Sequence, residues 1–414
     1  MGYKRHSGRS EEKIYSNQTE IGGLYMVYSK LTQWNIKNKR VFLRADLNVP
    51  LKNGKIGNDF RLQKILPTLD FLIKQNANVV LATHIGRPKN KEPELSTKIL
   101  LSWFTQRGYT IRFEPDFTQI AQQKVIPQEI IILENLRFFP GEKDSDIFFA
   151  KQLAHTAQYY VNDAFGTIHE HDCSVALLPY EFHEDKRSIG FLIEKELFVF
   201  DELKNNPRHP FIAVLGGGKI KDKIPLMYSL VDKIDTLFLY PALCFSFLKM
   251  LKQPIGRSLV DDTMLQKCKE IILQAESAGT EYIFPHDYQI SYDSLNGPLA
   301  VIDAPQFPEN AIGISVGPKT VHECITYINQ AQTVFFNCAM GFADKPETRE
   351  STKNIIIAMA QSSARTIIAG GDSVDSALNT THYTDIDHLS TGGGAALAYI
   401  SGAMMPGLVP FEEE

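Results

Sequence analysis

Residues 211–224 have the sequence FIAVLGGGKIKDKI, and this stretch decides the fold predicted for the chain. Its first five residues form a dense apolar run, which is typical of a buried strand. Three glycines follow, so the backbone can turn sharply and approach a ligand closely. Lys219 and Lys223 are four residues apart, which places them on one face of a helix beginning here. Two ammonium groups beside free backbone N–H groups favour a strongly anionic ligand, such as a transferring phosphoryl group.

The same pattern leaves a second interpretation open, namely an ordinary strand-to-helix turn with solvated lysines. The Gly-x4-Gly-Lys-Ser/Thr spacing of the common phosphate-binding loop is absent from this stretch. A dehydrogenase is also disfavoured, because no Gly-x-Gly-x-x-Gly motif follows an early strand.

Length and composition restrict the class of protein. A chain of 414 residues is long for one hydrophobic core, so we expect two domains. The net charge of −5 gives no reason to expect nucleic acid as a partner. Five scattered cysteines without a Cys-x-x-Cys pair indicate a reducing compartment, here the cytoplasm, and argue against disulfides. No apolar run approaches the roughly 18 residues of a membrane-spanning helix, so no membrane partner is expected.

From residue 40 onward, short apolar runs alternate with helix-like segments. This alternation predicts an α/β fold in which helices cover both faces of parallel sheets. The predicted strands are residues 41–43, 79–82, 130–133, 159–161, 212–215, 237–240, 282–284, 334–336 and 367–369. Residues 190–206 have apolar positions at helical spacing and end in Asn-Asn-Pro, which predicts either a hinge helix joining two domains or an ordinary core helix. We therefore expect a flexible N-terminal extension at residues 1–30, domains at 31–189 and 207–401, and a C-terminal segment at 402–414.

In the first half, mainly cationic side chains follow the apolar runs. Because the carboxyl ends of parallel strands share one edge of a sheet, these side chains are expected in one cleft. Arginine suits carboxylate and phosphate groups, so a small phosphorylated acid fits as the ligand. The residues are Arg61, His84, Arg87, Arg137 and His169.

In the second half, the strand ends are rich in glycine. Gly370, Gly371, Asp372 and Ser373 follow one run, and a carboxylate there can hold Mg2+ that is also bound to phosphates. Residues 390–395, STGGGA, then begin a helical stretch whose N–H groups can bind phosphate. An acid site facing a nucleotide site across a hinge suggests a kinase that closes to expel water.

Six of these stretches together closely resemble the phosphoglycerate kinase family. They are RADLNVP at residues 44–50, THIGRP at 83–88, NDAFGT at 162–167, LGGGK at 215–219, GGDS at 370–373 and STGGGA at 390–395. The resemblance implies reversible, ATP-dependent phosphoryl transfer between 3-phosphoglycerate and 1,3-bisphosphoglycerate in glycolysis. It also implies a monomer with two Rossmann-like domains, the first binding phosphoglycerate and the second the nucleotide, and a C-terminal segment that returns to the first.

The resemblance also implies roles for individual residues. Arg61 and Lys219 would stabilise charge on the transferring group, and Asp372 would hold Mg2+ beside the co-substrate ATP or ADP. The acid-binding residues would be Asp46, Asn48, Arg61, His84, Arg87, Arg137 and His169. The nucleotide-binding residues would be Gly217, Lys219, Lys223, Gly317, Asn337, Asp344, Gly370, Gly371, Asp372, Ser373, Gly393 and Gly394.

Several positions depart from the family pattern. Glu170 stands where the family has a phosphate-binding arginine, and a carboxylate there would repel that phosphate unless it points away. Residues 240–242, Tyr-Pro-Ala, replace a triple-glycine turn against adenine and would occupy space that glycine leaves open. Asp344 replaces a ribose-binding glutamate, and Cys338 and Ala339 lie in an altered turn. Two alternatives therefore stay open: a catalytically impaired homologue acting as a binding or regulatory protein, and a kinase for another small phosphorylated acid.

Overall fold

The computed structural model describes residues 29–342 and 344–412. The extension predicted at residues 1–30 lies outside these residues except for its last two positions. There the Ser29 N–H donates to Glu194 Oε1 over 3.2 Å, and the Lys30 N–H donates to the Ser188 hydroxyl over 2.8 Å. The first two described residues are therefore held by hydrogen bonds to residues much later in the chain.

The elements up to residue 205 alternate between strands and helices. The strands are β1 (Arg40–Ala45), β2 (Leu51–Lys52), β3 (Lys55–Ile56), β4 (Asn78–Ala82), β5 (Ile111–Glu114), β6 (Ile130–Leu133), β7 (Tyr159–Asp163) and β8 (Arg187–Ile189). The helices are α1 (Phe60–Lys64), α2 (Leu66–Lys74), α3 (Leu101–Thr105), α4 (Pro140–Lys143), α5 (Ile147–Ala154), α6 (Cys173–Ala176) and α7 (Phe191–Asn205).

The first sheet has the strand order β5-β6-β4-β1-β7-β8, and its pairs are parallel. Alternate residues of β1 enter different buried clusters, with Val41 and Leu43 on one face and Phe42 on the other. Burial on both faces explains why the strand is a continuous apolar run. The strand order reverses around β1, so the ends of β4, β1 and β7 border one crevice, the usual ligand position in open α/β sheets.

The elements after residue 205 continue the alternation, with one interruption. The strands are β9 (Phe211–Leu215), β10 (Thr236–Leu239), β11 (Glu281–Ile283), β12 (Asp287–Tyr292), β13 (Leu299–Asp303), β14 (Ala311–Val316), β15 (Thr333–Asn337), β16 (Arg365–Ile368) and β17 (His388–Leu389). The helices are α8 (Ile220–Leu230), α9 (Leu243–Met250), α10 (Leu265–Ala278), α11 (Pro318–Ile328), α12 (Glu350–Gln361), α13 (Gly371–Leu378) and α14 (Gly394–Ile400).

The second sheet has the order β11-β10-β9-β15-β16-β17 and is again parallel, so the predicted α/β fold with two parallel sheets is confirmed. Its strand order reverses between β9 and β15, which places the glycine turn after β9 beside the end of β15. The interruption is an antiparallel sheet of order β13-β12-β14, which the sequence did not predict. Its strand β13 contains the apolar run of residues 299–302 but is half-buried to exposed in the structure.

The predicted helix at residues 190–206 forms as α7 and contacts α2 and β7 on one side and α14 on the other. After α14 the chain comes back to the first sheet. The Gly407 N–H donates to the Ile168 carbonyl over 2.9 Å, and the Phe411 ring stacks on Tyr160 at 6.2 Å. No helix within the described residues is long and apolar enough to cross a membrane. The division of the chain into domains stays a prediction.

Candidate active site

The first cleft begins at the end of β1, where Asp46 is buried. Its carboxylate accepts the N–H of Asn48 over 3.2 Å and forms an ion pair with Arg61 from α1. Gly166 lies against this pair so closely that a Cβ atom would collide with the Asp46 carboxylate. Arg61 keeps 27% of its side chain exposed. The loop after β7 thus packs on a guanidinium that is fixed at one end and open to a ligand.

His84, at the end of β4, is held by groups that favour its neutral form. Its Nδ1 lies 3.3 Å from Nη2 of Arg44, which is fully buried and also pairs with Glu142 at 3.6 Å. Burial and the nearby cations, Arg44 first, hold the pKa of His84 well below its usual range. His84 therefore serves as a neutral hydrogen-bonding group near pH 7. Arg44 therefore contacts His84 from inside the protein. We did not predict this role for Arg44 from the sequence.

Asn48, Arg87 and Arg137 surround the same turn after β4. The Asn48 side-chain oxygen accepts the Gly86 N–H over 2.9 Å, and Arg137 Nη1 donates to the Gly86 carbonyl over 3.0 Å. Arg87 is exposed and has no partner within the described part of the chain. Arg137 Nε is buried without a hydrogen bond there. Two guanidiniums thus keep unused donors in the cleft, as an anion site requires.

Glu170 does not stand as an isolated negative charge. Its carboxylate accepts from the Lys143 ammonium at 2.8 Å and lies 4.0 Å from Nη2 of Arg137. Burial is the largest influence and acts to raise the pKa of Glu170, but the hydrogen bond and charge of Lys143 together with the charge of Arg137 outweigh it, so the pKa is lowered. Asp172, 1% exposed, binds the same lysine at 2.6 Å. The Glu170 carboxylate is therefore paired with a cation, which reduces the repulsion of phosphate that the sequence predicts.

His169 connects the cleft with the second half of the chain. Its Nδ1 is buried without a partner in the described residues, and its Nε2 would lie 3.8 Å from a Cβ on Gly394, at the start of α14. Burial lowers the pKa of His169. Gly393 in turn lies close to the N–H of Gly371 at the start of α13, where an added Cβ would be 3.9 Å from that nitrogen. The beginnings of two helices therefore meet beside the cationic cleft.

The glycine turn after β9 has the predicted form. Gly217 has a φ of +89°, which an L side chain rarely adopts, so glycine is required at this position. Lys219 caps α8 and is exposed, whereas Lys223 is buried one turn later with its ammonium 3.9 Å from where a Gly217 Cβ would be. Burial lowers the pKa of Lys223. Both lysines thus face the turn, one from solvent and one from the protein interior.

Asn337, at the end of β15, lies beside the turn that begins α13. Its Nδ2 donates to the Ala369 carbonyl over 2.7 Å, while its Oδ1 is buried without a partner in the described residues. Gly370 has a φ of +92°, and a Cβ there would collide with the Asn337 amide. Ser373 is buried, with its hydroxyl 3.7 Å from the same Cβ position. These groups surround a space beside the ends of β9, β15 and β16 that the sequence predicts as a phosphate site.

Asp372 fits a magnesium ion carried by a nucleotide better than a resident ion. Its side chain is exposed in the first turn of α13. The described residues contain no group of three or more metal-ligating side chains. Mg2+ typically uses one or two carboxylates together with substrate phosphates and water, so a single free carboxylate beside a phosphate site suits it.

Two predicted nucleotide residues lie in less informative positions. Gly317 immediately precedes α11, but the N–H groups that follow it are already used: Lys319 and Thr320 donate to the Asp287 carboxylate over 3.0 and 2.9 Å. Asp344 is exposed and has no partner within the described residues. Neither position therefore provides contacts that add to the phosphate site.

A cavity of about 460 Å3 lies beside the glycine turn. Lys219, Ala242 and Leu259 are among its lining residues. Of the three residues predicted to occupy space that glycine leaves open, Ala242 lines this cavity, whereas the Tyr240 ring is buried in the core with its centroid 5.7 Å from that of Phe238. Side chains alternate along β10, and Tyr240 continues that alternation on the same side as Phe238.

A cation-lined cleft after one parallel sheet and a lysine-bearing glycine turn after the other define a kinase-like α/β protein. The phosphoglycerate kinase family model matches residues 31–403. The chain belongs to the phosphoglycerate kinase family. Phosphoglycerate kinase from Clostridium botulinum (strain Alaska E43 / Type E3) is 36% identical over 383 residues, covering 90% of this chain and 96% of the relative. The Bdellovibrio bacteriovorus enzyme of the same name is 35% identical, with coverages of 91% and 95%.

Solved structures agree with this assignment. Phosphoglycerate kinase from Coxiella burnetii superposes with a TM-score of 0.80 at 30% identity, covering 92% of this chain and 97% of that one. The Pyrococcus horikoshii OT3 enzyme gives a TM-score of 0.77 at 27% identity, with coverages of 93% and 98%. The similarity thus extends over both sheets and both halves of the site.

Proposed function

We propose that this chain catalyses reversible phosphoryl transfer between ATP and 3-phosphoglycerate, forming ADP and 1,3-bisphosphoglycerate. One observation carries the proposal: His169 of the cationic cleft lies beside Gly394, and the adjoining Gly393 lies beside Gly371 at the nucleotide turn. Acid and nucleotide can therefore meet at one place. The relatives that bear the name phosphoglycerate kinase cover nearly the whole chain.

The proposed chemistry needs positioning and charge stabilisation more than covalent participation by the protein. The substrate carboxylate attacks the terminal phosphorus of ATP, and the bond from that phosphorus to the bridging oxygen breaks. Arg61 and Lys219 stabilise the negative charge on the transferring group. Asp46 holds Arg61 in place, and neutral His84 donates or accepts a hydrogen bond without altering the charge balance.

The nucleotide is proposed to bind through the glycine turn and the residues beside it. Lys223, whose ammonium lies beside the glycine turn, and Asn337, whose side chain lies beside Gly370 with its Oδ1 unpaired in the described residues, contact its phosphates. Ser373 and the N–H groups near Gly370, Gly371, Gly393 and Gly394 complete the phosphate site. Asp372 would hold Mg2+, which neutralises phosphate charge when bound.

Further parts of the proposal concern the working form of the protein. We propose a cytoplasmic monomer whose two halves close around the substrates through α7. Five free, buried cysteines agree with a reducing compartment. Glu196 in α7 forms hydrogen bonds with His388 and Thr391 of the second half. Movement of α7 would therefore be transmitted to α14 through these bonds.

A coupled assay with purified protein, 3-phosphoglycerate and either ATP or GTP tests the proposal. Turnover with 3-phosphoglycerate supports it. Turnover only with another phosphorylated acid would instead identify a kinase for that acid. Binding of phosphoglycerate without turnover would identify an impaired homologue. The pairing of Glu170 with Lys143 argues against that alternative.

A further inference from the structure

Lys143 ends α4 with its ammonium between two carboxylates. Its Nζ lies 2.8 Å from Glu170 Oε2 and 2.6 Å from Asp172 Oδ1. The other oxygen of Asp172 lies 3.4 Å from Nη2 of Arg137. Because Asp172 is only 1% exposed, this carboxylate is fixed in place and holds a lysine and an arginine side by side in the cleft.

Both cations keep donors for a further anion. An ammonium has three N–H donors, and the two carboxylates use two of those on Lys143. Lys143 keeps 50% of its side chain exposed, so the third donor can reach a ligand. Arg137 Nε is buried without a partner in the described residues. A buried donor of this kind normally has a partner, which points to a ligand that binds here.

Charge balance makes Lys143 decisive for an anionic ligand. Arg137 lies near Glu170 and Asp172 and bonds the carbonyl of Gly86, the residue before Arg87, so this part of the cleft has two positive and two negative charges. These four groups alone give little net attraction for a phosphate dianion. Lys143 supplies the surplus positive charge, and it is partly exposed where a substrate phosphate could approach.

The positive charge of Lys143 also contributes to the lowered pKa of two histidines in the cleft. Burial is the main cause that lowers the pKa of His84 and of His169, and the positive charge of Lys143 adds to the lowering in both. Lys143 therefore lies within electrostatic reach of both histidines.

We propose that Lys143 binds the phosphate of the acid substrate and thereby sets the preference for a phosphorylated acid, with Glu170 and Asp172 positioning its ammonium. The inference rests on the proposed function, because it assigns a further specificity-determining residue to the same site. Lys143 lies on a short helix instead of at a strand end, which is why the pattern of strand ends did not indicate it.

The first experiment measures Lys143→Met by steady-state kinetics and by calorimetric titration with 3-phosphoglycerate. The KM and Kd for 3-phosphoglycerate should rise on the order of 10- to 100-fold, the range for a lost charged hydrogen bond. The nucleotide KM should stay within about twofold, and Lys143→Arg should restore most of the affinity. Lys151→Met, an exposed lysine on α5, serves as the matched control and should leave both constants unchanged.

A double variant separates contact with the phosphate from mere neutralisation of Glu170. If Lys143 touches the phosphate, Lys143→Met combined with Glu170→Gln still binds 3-phosphoglycerate at least about tenfold more weakly than the unaltered protein. Full recovery in the double variant would overturn the proposal, since Lys143 would then only cancel a carboxylate. Thermal unfolding of each variant confirms that the protein is folded at the assay temperature.

Failure of this inference is distinguishable from failure of the proposed function. If the unaltered protein turns over 3-phosphoglycerate and Lys143→Met leaves the KM unchanged, the proposed role of Lys143 is wrong but the proposed function stands. Unaltered protein that neither binds nor converts 3-phosphoglycerate overturns the proposed function, and the role of Lys143 with it.

Discussion

Glu196, in the middle of α7, accepts the backbone N–H of Thr391 over 2.7 Å at the loop that leads into α14. The Thr391 hydroxyl donates to the same carboxylate oxygen over 2.8 Å, and His388 Nε2 lies 2.7 Å from the other oxygen. Glu196 is fully buried. A single carboxylate thus ties the predicted hinge helix to the strand and loop that carry the proposed phosphate-binding glycines.

Glu196→Ala should lower the free energy of unfolding by about 3–5 kcal/mol, because it leaves buried polar partners unsatisfied. Urea unfolding followed by circular dichroism measures this. Glu202→Ala on the same helix is the control: its carboxylate is 26% exposed and its cationic partners are 3.6 and 3.9 Å away, so its loss should cost under about 1 kcal/mol. Similar losses for both variants would show that the Glu196 network contributes no special stability.

The free energy of unfolding should depend on pH through the ionisation of Asp163. Burial raises its pKa from 3.8 to about 7. The stabilising contribution is complete below the unfolded pKa and is lost as pH rises toward 7, because the unfolded chain ionises first. The loss between pH 4 and pH 8 should be roughly 3–4 kcal/mol.

Asp163→Asn removes this titration and keeps an oxygen that can accept the Ile193 N–H. The difference in unfolding free energy between the two proteins, measured in urea from pH 4 to pH 8, isolates Asp163, since His84 titrates in both. We expect the variant to gain relative stability as pH rises. A difference that does not change with pH would mean that Asp163 is ionised throughout.

Much of the fold could be predicted from sequence because buried parallel strands are dense apolar runs. Residues Phe211–Leu215 are buried on both faces, and the glycines and lysines that follow are all in one short stretch. The antiparallel strands between Asp287 and Val316 escaped prediction because their pairing depends on contacts distant in sequence. Local composition does not encode those partners.

The candidate site was predictable where side chains follow strand ends, as for His84 and Arg137. Lys143, the phosphate ligand proposed above, was not predicted because it comes from a short helix, and only the folded structure shows that Glu170 and Asp172 hold its ammonium. The direction of Tyr240 could have been predicted from strand alternation, since it lies two residues after Phe238.

Asp372→Ala should weaken binding of magnesium–nucleotide much more than binding of 3-phosphoglycerate, because the exposed carboxylate is proposed to serve only the metal. Calorimetric titration with each ligand separately, with and without Mg2+, measures the difference. Asp375→Ala, also exposed on α13, is the matched control and should change neither affinity. Equal weakening for both ligands in Asp372→Ala would rule out a metal-specific role.

The roles proposed for Lys219 and Lys223 predict changes in different kinetic constants, kcat for Lys219 and the nucleotide KM for Lys223. Lys219 is exposed at the cap of α8, where it can meet charge that develops during transfer, whereas Lys223 is buried beside the turn. Lys223→Ala should mainly raise the nucleotide KM, because it removes a contact made in the resting complex. Lys221→Ala, whose ammonium lies 3.6 Å from Asp261, should change kcat little and serves as the control. A fall in kcat with an unaltered KM in Lys223→Ala would reverse the two assignments.

The most direct test of phosphoryl transfer at the glycine turn is the turnover of Lys219→Ala with saturating ATP, Mg2+ and 3-phosphoglycerate. We predict measurable turnover by the unaltered protein and a kcat about 100- to 1000-fold lower in the variant, with ligand affinities nearly unchanged. Turnover that survives the substitution within a few-fold would contradict the placement of the transfer site, and no turnover by the unaltered protein would contradict the proposed function.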